Sequence, residues 1–326
     1  MELLRLGDPA PDAVDSLRSW LEAAEPARLL IETSGSSGVP KRVVLSREAV
    51  LASAEAALTR LGGPGRWVLA LPPAYIAGVQ VIVRSLLAGH EPVLGLDEPA
   101  PGDGPLYTSL VATQLHRLLE TDPGQLARFD TILLGGGPVD PELRGRAEAA
   151  GARVVATYGA SETAGGCVYD GLPLDGVEVR IGSEARIALR GPMLFERYDD
   201  DPELTAQTLV DGWFLTSDLG SLDDGRLRVL GRIDDIVISG GIKVPTPAVA
   251  ARLRQHAEVL DAAVVGVPDE EWGQRVVAFV VGPLGLDAAR DWVSAVHPRS
   301  WAPREVRRVD ALPLLPNGKL DRQALV

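Results

Sequence analysis

Residues 131–159 read TILLGGGPVDPELRGRAEAAGARVVATYG, and this stretch decides the fold class. Two short apolar runs, TILL and RVVAT, each lead into a turn that contains glycine, as buried strands do. The residues between them, 140–150, have a helical pattern. A strand, a helix and a second strand in this order predict two parallel strands joined by a crossover helix.

The same alternation extends toward the N-terminus. Strands are predicted at 28–32, 42–45, 67–72 and 106–110, and helices at 13–24, 46–60, 76–87 and 113–120. After Gly171, short strands separated by turns predict an antiparallel β subdomain. Beyond residue 236, a helix (247–256), two strands (261–267 and 275–281) and a helix (287–296) predict a small α+β domain.

The predicted fold class is therefore α/β with two domains. We expect a large N-terminal domain over 1–231, which binds nucleotide and acid and combines parallel sheets, crossover helices and the antiparallel β subdomain. A hinge is expected at 232–235, followed by a small mobile α+β C-terminal lid over 236–326. A length of 326 residues suits two domains better than one core.

The composition excludes several classes of protein. The net charge of −13 opposes binding to nucleic acid, and no apolar run is long enough to insert into a membrane. The first residues lack the pattern of a signal peptide, and the single cysteine rules out an intramolecular disulfide. The sequence thus predicts a cytoplasmic protein.

A loop rich in glycine and hydroxyl groups, TSGSSGVPK, occupies residues 33–41. Its backbone N–H groups, its hydroxyls and Lys41 are suited to hold phosphates. Pro40 and the glycine spacing distinguish it from a Walker-type P-loop. The chain has three lysines among 32 basic residues, Lys41, Lys243 and Lys319. An ordinary surface loop remains an alternative for this stretch.

Further motifs follow in order along the chain. In TYGASE (157–162), Tyr158 is suited to stack on a base, and Glu162 to hold Mg²⁺ beside phosphate oxygens. The others are GWFLTSDLG (212–220), GRIDDIVISGG (231–241) and LPNGKLDR (315–322). Each of them, taken alone, also fits a solvated turn.

Taken in order from residue 28 to the end, these motifs resemble the ANL adenylate-forming superfamily, which includes acyl-CoA synthetases, adenylation domains and luciferases. LALPPAYIAGVQVIVRSLLAG (69–89), YTSLVATQLHRLL (107–119), LLGGGPVDPEL (133–143) and the stretch from 154 to 177 are similar to the short actinobacterial o-succinylbenzoate–CoA ligases of menaquinone biosynthesis. The resemblance implies an AMP-forming ligase that joins an acid to CoA at the expense of ATP. Mg²⁺, ATP and CoA are the implied cofactor and co-substrates.

The resemblance also implies roles for individual residues. The phosphates of ATP are expected at Thr33, Ser34, Gly35, Ser36, Ser37, Gly38 and Lys41. The adenine is expected at Gly135, Gly136, Gly137, Pro138, Tyr158 and Gly159. Ser161 and Glu162 meet phosphate and Mg²⁺, and Asp218 with Arg232 binds the ribose. Lys319 is the implied catalytic lysine, assisted by Glu162 and Lys41.

For the acid, the implied pocket residues are Tyr75, Ile76, Gly78, Val79, Gln80, Arg84, Thr163, Gly165 and Gly166. Arg84 or Gln80 is expected to meet the carboxylate that does not react. The domains are expected to rotate about Asp234, and CoA is expected at Gly240, Gly241 and Lys243.

Other functions remain open at this point. A CoA ligase for a different aryl or short acyl acid is the main alternative. An adenylation domain that charges a carrier protein and an inactive nucleotide-binding protein are further alternatives. The resemblance is also compatible with a homodimer.

Overall fold

The computed structural model describes residues 2–7, 9–33, 40–313, 320–321 and 323–325. The helices in this part of the chain are α1 (Ala10–Glu22), α2 (Arg47–Leu61), α3 (Ile76–Leu87), α4 (Ala112–Thr121), α5 (Pro141–Ala149), α6 (Pro202–Thr208), α7 (Thr246–Arg254) and α8 (Leu286–Ser294). None of these helices is both long enough and apolar enough to cross a membrane.

The strands begin with β1 (Leu3–Arg5), β2 (Arg28–Thr33), β3 (Lys41–Leu45), β4 (Arg66–Leu69), β5 (Val93–Leu94), β6 (Leu106–Val111), β7 (Thr131–Gly135), β8 (Val154–Ala160), β9 (Gly165–Tyr169) and β10 (Leu172–Pro173). They continue with β11 (Glu178–Ile181), β12 (Arg186–Arg190), β13 (Arg197–Tyr198), β14 (Leu209–Val210), β15 (Trp213–Asp223), β16 (Arg226–Arg232), β17 (Ile236–Ser239), β18 (Ile242–Pro245), β19 (Asp261–Asp269), β20 (Gly273–Val281) and β21 (Glu305–Arg308).

The chain divides into two compact units. The first comprises 1–180, 188–216 and 222–227, and the second comprises 181–187, 217–221 and 228–326. The α/β class expected from the sequence is confirmed. The domain boundary and the hinge at 232–235 stay predictions.

A seven-stranded sheet with the order β10-β9-β8-β7-β6-β4-β5 lies in the first unit. Strands β8, β7, β6, β4 and β5 are parallel, as the alternation of strands and helices predicts. Strands β9 and β10 add to it as antiparallel strands. The core on one face includes Leu115 of α4, Leu143 of α5 and Ile132 of β7. The predicted crossover helix is thus α5, capped by the Asp140 side chain, which accepts from the N–H of Glu142.

A second sheet in this unit has the order β1-β2-β3-β13. Strands β2 and β3 are antiparallel, with Thr33 opposite Lys41. The following helix α2 begins after Ser46, whose side chain accepts from the N–H of Ala49, as expected. Helix α1 begins at Ala10, three residues before the predicted start, because proline is well tolerated in the first turn of a helix.

Strands β11, β12, β15 and β14 form a third sheet in that order, and β16 pairs with β15. Strands β14 and β15 are antiparallel, as predicted for this region.

The second unit contains the sheet β18-β17-β20-β19, with β21 parallel to β20. Successive side chains of β19 lie in two different cores, because side chains along a strand point alternately to its two faces. Ala262 and Val264 pack in the core that includes α7 and α8, whereas Ala263 and Val265 pack in the core that includes Leu325. The small α+β architecture matches the sequence prediction.

Candidate active site

The expected phosphate loop is bounded by paired residues. Thr33, at the end of β2, lies opposite Lys41, at the start of β3. The hydrogen-bonded pairing of β2 with β3 continues to Leu29 and Leu45, and it holds Thr33 and Lys41 opposite each other. Residues Ser34, Gly35, Ser36, Ser37 and Gly38, predicted to bind phosphate, lie outside the described residues.

The expected adenine site lies at the carboxyl ends of β7 and β8. Ligands gather at this edge of parallel sheets. Gly135 faces β8 so closely that an added Cβ would lie 2.5 Å from Oγ1 of Thr157, and Gly136 has a φ of 82°. A Cβ on Gly159 would lie 2.2 Å from the carbonyl oxygen of Gly165. Gly135 and Gly159 thus permit the close approach of neighbouring strands, and Gly136 permits the turn after β7 that leads into Gly137 and Pro138.

Glu162 lies in a one-turn 3₁₀ helix, Ser161–Thr163, between β8 and β9. The Thr163 hydroxyl fastens this turn, because it accepts from the N–H of Ala160 at 2.8 Å and donates to the carbonyl of Gly165 at 2.7 Å. Ala164 follows in the left-handed region, with a φ of 47°. Its carbonyl accepts from Oγ of Ser53 at 2.9 Å, so a rare backbone conformation is held by partners outside the turn.

The carboxylate of Glu162 is buried and accepts a hydrogen bond from Tyr198. The Tyr198 Oη lies 2.7 Å from Oε1 of Glu162. Nζ of Lys41 lies 5.5 Å from the centroid of the same tyrosine ring, within the range of a cation–π contact. Burial is the main cause that raises the pKa of Tyr198, and the adjacent Glu162 carboxylate is the second cause. The phenol therefore stays protonated, and a hydrogen-bond donor, at neutral pH. Lys41 and Glu162 therefore meet at one side chain.

Helix α3 supplies most of the residues expected to contact the acid. It begins after Tyr75, which is half exposed, and buries Ile76, Gly78 and Val79. A Cβ on Gly78 would lie 2.2 Å from the carbonyl oxygen of Pro72, so glycine permits this close approach. Val79 and Thr163 have no exposed surface in this structure, and their contact with the acid stays a prediction.

Gln80 and Arg84 of α3 face β9. Nε2 of Gln80 donates to the carbonyls of Val50 at 3.1 Å and Ala164 at 2.8 Å, and a Cβ on Gly165 would lie 3.3 Å from Cγ of Gln80. The amide nitrogen of Gln80 therefore supports the Glu162 turn. Oε1 of Gln80 has no hydrogen-bond partner among the described residues.

Arg84 is the buried cation of this region, with 3% of its surface exposed. Its guanidinium lies 5.1 Å from the ring of Trp67, and Nη2 lies 3.5 Å from the Tyr169 hydroxyl. Within the part of the chain that the structure describes, Nε has no partner and no carboxylate forms an ion pair with Arg84. Burial lowers the pKa of Arg84. A guanidinium that is desolvated but unpaired is suited to receive an anion.

The single cysteine, Cys167, lies on β9 and is also buried. Burial raises the pKa of its thiol to about 12. The thiol is therefore protonated at neutral pH and inert as a nucleophile.

Several expected site residues belong to the second unit. Oδ1 of Asp218 lies 3.6 Å from Nη1 of Arg232, so the structure brings the two expected ribose ligands together. Asp234 lies in the 3₁₀ turn Ile233–Asp235. Gly240 and Gly241, both with positive φ, form the turn between β17 and β18. The Nζ of Lys243 pairs with Glu184 at 2.5 Å, and Lys319 lies outside the described residues.

The residues around Glu162 fit Mg²⁺ that is held mainly by a nucleotide. No group of three or more His, Cys, Asp or Glu side chains gathers in the described ranges to form a cage for a metal. One buried carboxylate, with Oε1 oriented by Tyr198, suits Mg²⁺, which combines one or two carboxylates with phosphate oxygens and water. When bound, the ion would neutralise phosphate charge.

The class of protein follows from this arrangement and from comparison with known families. Residues 10–193 match the AMP-binding enzyme family, and residues 248–319 match the AMP-binding enzyme C-terminal domain. The chain belongs to the AMP-binding enzymes, which confirms the resemblance to adenylate-forming proteins.

Individual relatives are more specific. The chain is 46% identical over 336 residues to a probable 2-succinylbenzoate–CoA ligase of Mycobacterium tuberculosis, covering 95% of this chain and 87% of that protein. Its structure is similar to o-succinylbenzoate CoA synthetase (MenE) from Bacillus subtilis in complex with the acyl-adenylate intermediate OSB-AMP. That likeness has a TM-score of 0.78 and 28% identity, and covers 91% of this chain and 68% of the other.

An amide bond synthetase, McbA from Marinactinospora thermotolerans, is as similar in structure. The TM-score is 0.78 with 29% identity, covering 91% of this chain and 67% of McbA. Proteins named for different reactions thus share this fold at equal similarity, and the side chains of the acid pocket have to decide the substrate.

Sequence reasoning did not identify Tyr198 or Tyr169 as site residues. Tyr198 contacts Glu162 from 36 positions away, through the pairing of β13 with β3. Tyr169 reaches Arg84 from 85 positions away, across β9 and α3. No local motif marks either residue, because their positions depend on strand pairing rather than on sequence neighbours.

Proposed function

We propose that this chain is an ATP-dependent acyl-CoA ligase that converts o-succinylbenzoate, ATP and CoA to o-succinylbenzoyl-CoA, AMP and pyrophosphate. The similarity to the M. tuberculosis protein over nearly the whole of both chains supports this substrate. The buried guanidinium of Arg84 on α3, next to Tyr169 of β9, is a second line of support. The pathway served would be menaquinone biosynthesis.

The reaction has two halves. In the first, a carboxylate oxygen of the acid attacks the α-phosphorus of ATP, forming an acyl-adenylate and releasing pyrophosphate. In the second, the CoA thiol attacks the acyl carbon and AMP leaves. Little covalent chemistry falls to the protein, so its residues act by positioning and by stabilising charge.

Each proposed role follows from the chemistry of the residue. Lys41 binds the phosphates released as pyrophosphate, and Glu162 holds the nucleotide's Mg²⁺. Lys319 stabilises the charge that develops between the attacking carboxylate and the α-phosphate. Asp218 accepts hydrogen bonds from the ribose hydroxyls, with Arg232 beside it. Lys243, with Gly240 and Gly241, contributes to the binding of CoA.

The observation on which the choice of substrate rests is Arg84. All adenylate-forming enzymes need a nucleotide site, but an acid with two carboxylates also needs a partner for the one that does not react. Arg84 is a buried guanidinium without a carboxylate partner among the described residues. It adjoins Tyr169, whose ring lies 3.2 Å from the position of a Cβ on Gly166. An ionised aromatic carboxylate matches this environment in charge and planarity.

Pyrophosphate release tests the proposal. The purified chain is given ATP, Mg²⁺ and one acid from a panel of o-succinylbenzoate, benzoate and 4-oxo-4-phenylbutanoate. The last acid is o-succinylbenzoate without its aromatic carboxylate and is the matched control. We expect fast release with o-succinylbenzoate, slower release with the control, and loss of release in Lys319→Ala.

Faster release with another acid would reject o-succinylbenzoate as the substrate and leave the ligase chemistry standing. ATP binding without release of pyrophosphate for any acid would favour an inactive nucleotide-binding protein.

The hinge at Asp234 is tested by cross-linking the domains in one pose, which should stop one half-reaction and spare the other. We also propose action in the cytoplasm, and a homodimer that light scattering of the purified chain would detect.

A further inference from the structure

Two residues with proposed catalytic roles have opposite charges and share one neighbour. Lys41 lies over the face of the Tyr198 ring, and Glu162 accepts from the hydroxyl of the same ring. In the described residues, Nζ of Lys41 does not lie within 4.0 Å of a Glu162 carboxylate oxygen, so these two residues form no ion pair with each other. Without Tyr198 between them, the ammonium of Lys41 and the buried carboxylate of Glu162 would attract each other strongly, because screening is weak where water is excluded.

The tyrosine itself is firmly held. Tyr198 is 2% exposed and lies on β13, where it pairs with Val43 of β3. Its N–H donates to Oγ1 of Thr205 at 2.9 Å, and its ring lies 4.8 Å from the ring of Phe195. The backbone N–H of Phe195 in turn donates to the carbonyl of Glu162 at 2.9 Å. The hydroxyl is thus carried by a rigid support that also holds the backbone of its partner.

We propose that Tyr198 is a positioning residue that keeps Lys41 and Glu162 apart, so that each stays available to Mg²⁺-ATP. The ring face engages the lysine through its π electrons, and the hydroxyl satisfies one carboxylate oxygen of Glu162. Without the hydroxyl, the carboxylate would lose its neutral partner and turn to the ammonium of Lys41. An internal ion pair would then compete with the phosphates and with the metal. This inference rests on the proposed function for the roles of Lys41 and Glu162.

Calorimetric binding of Mg²⁺-ATP and of AMP, without any acid, tests the proposal. Tyr198→Phe keeps the ring and removes the hydroxyl. We expect it to weaken Mg²⁺-ATP binding about tenfold or more, as loss of a hydrogen bond to a charged group does. AMP lacks the β- and γ-phosphates, and its affinity should change less than about twofold. Tyr107→Phe, which removes another buried tyrosine hydroxyl on β6, is the matched control and should change neither affinity.

A double-mutant cycle with Glu162→Gln separates positioning from a general structural role. The neutral amide does not attract Lys41, so Tyr198→Phe should cost less than about twofold in Mg²⁺-ATP affinity in that background. The double variant leaves no unpaired buried charge and stays testable even if Tyr198→Phe alone unfolds. The melting temperature of each variant establishes that it is folded.

Three results would overturn the inference. They are unchanged Mg²⁺-ATP affinity in Tyr198→Phe, equal loss of Mg²⁺-ATP and AMP affinity, and a further tenfold loss in the Glu162→Gln background. If the wild-type chain bound neither nucleotide, the proposed function would fail first and this inference with it. Normal wild-type binding with any of the three results rejects the role of Tyr198 alone.

Discussion

Replacing Arg84 by methionine should raise stability and lower activity toward one acid. Arg84 is 3% exposed, and its guanidinium forms no ion pair with a carboxylate in the described ranges. Replacing even a buried ion pair by apolar residues of similar size is often stabilising, by about 1–4 kcal/mol, and an unpaired buried charge has no attraction to a partner to lose. Loss of the contact between Arg84 and the Trp67 ring reduces this gain in stability by about 0.5–2 kcal/mol. Loss of the 3.5 Å contact with the Tyr169 hydroxyl reduces the gain only slightly, because a hydrogen bond of this length is weak. We expect a net gain of about 1 kcal/mol.

Thermal and urea unfolding measure this gain. For a chain of this size, about 1 kcal/mol corresponds to an increase of a few degrees in melting temperature. Arg47→Met is the matched control, because Nη1 of Arg47 donates to the carbonyls of Leu21 at 3.1 Å and Ala23 at 2.5 Å. That substitution removes satisfied hydrogen bonds, so the control should be destabilised by about 1–3 kcal/mol.

The kinetic effect should depend on the aromatic carboxylate. Loss of a charge-assisted hydrogen bond, about 1.5–3 kcal/mol, lowers kcat/KM for o-succinylbenzoate by about 10- to 150-fold. For 4-oxo-4-phenylbutanoate, Arg84→Met should change kcat/KM by less than about threefold, since that acid has no group for the guanidinium to bind. A destabilised Arg84→Met variant with an unchanged ratio between the two acids would refute the reasoning.

Three further predictions concern other parts of the structure. Gly78→Ala should lower the free energy of unfolding by about 1–3 kcal/mol in urea titration, because the added Cβ would lie 2.2 Å from the Pro72 carbonyl oxygen. Cys167, with a thiol pKa of about 12, should resist iodoacetamide at pH 8 in the folded chain and react quickly in urea, as mass spectrometry of the alkylated protein would show. Lys243→Ala should leave the melting temperature nearly unchanged, since the pair of Lys243 with Glu184 is exposed. The same substitution should slow thioester formation and spare pyrophosphate release, and equal slowing of both halves would contradict the proposed role at CoA.

The parallel part of the fold could be predicted from local patterns. Strand β7, helix α5 and strand β8 follow one another closely, and each has its own signal of apolar periodicity and turn residues. The return strand β9 was not predicted. Its residues Gly165–Tyr169 begin with two glycines and lack an alternating pattern, and the strand forms by pairing with β8 across a bulge.

The candidate site was predictable where a motif is contiguous. Glu162 and the neighbouring hydroxyls lie in one turn, as the spacing in TYGASE implies. The partners of these residues were not predictable. Tyr198 meets Glu162 because a two-residue strand joins the edge of β3, and strands this short have no periodicity that a sequence could reveal. The buried state of Arg84 was likewise hidden, since arginine on a helix is usually exposed at its charged end.

The burial of Cys167 makes the chain a convenient host for optical probes. Because the single native thiol is enclosed and protonated, thiol-reactive dyes should ignore the wild-type background. One cysteine introduced on the surface of each compact unit would then take a donor and an acceptor without any prior substitution. Single-molecule energy transfer between them would follow the distance between the units through the reaction cycle.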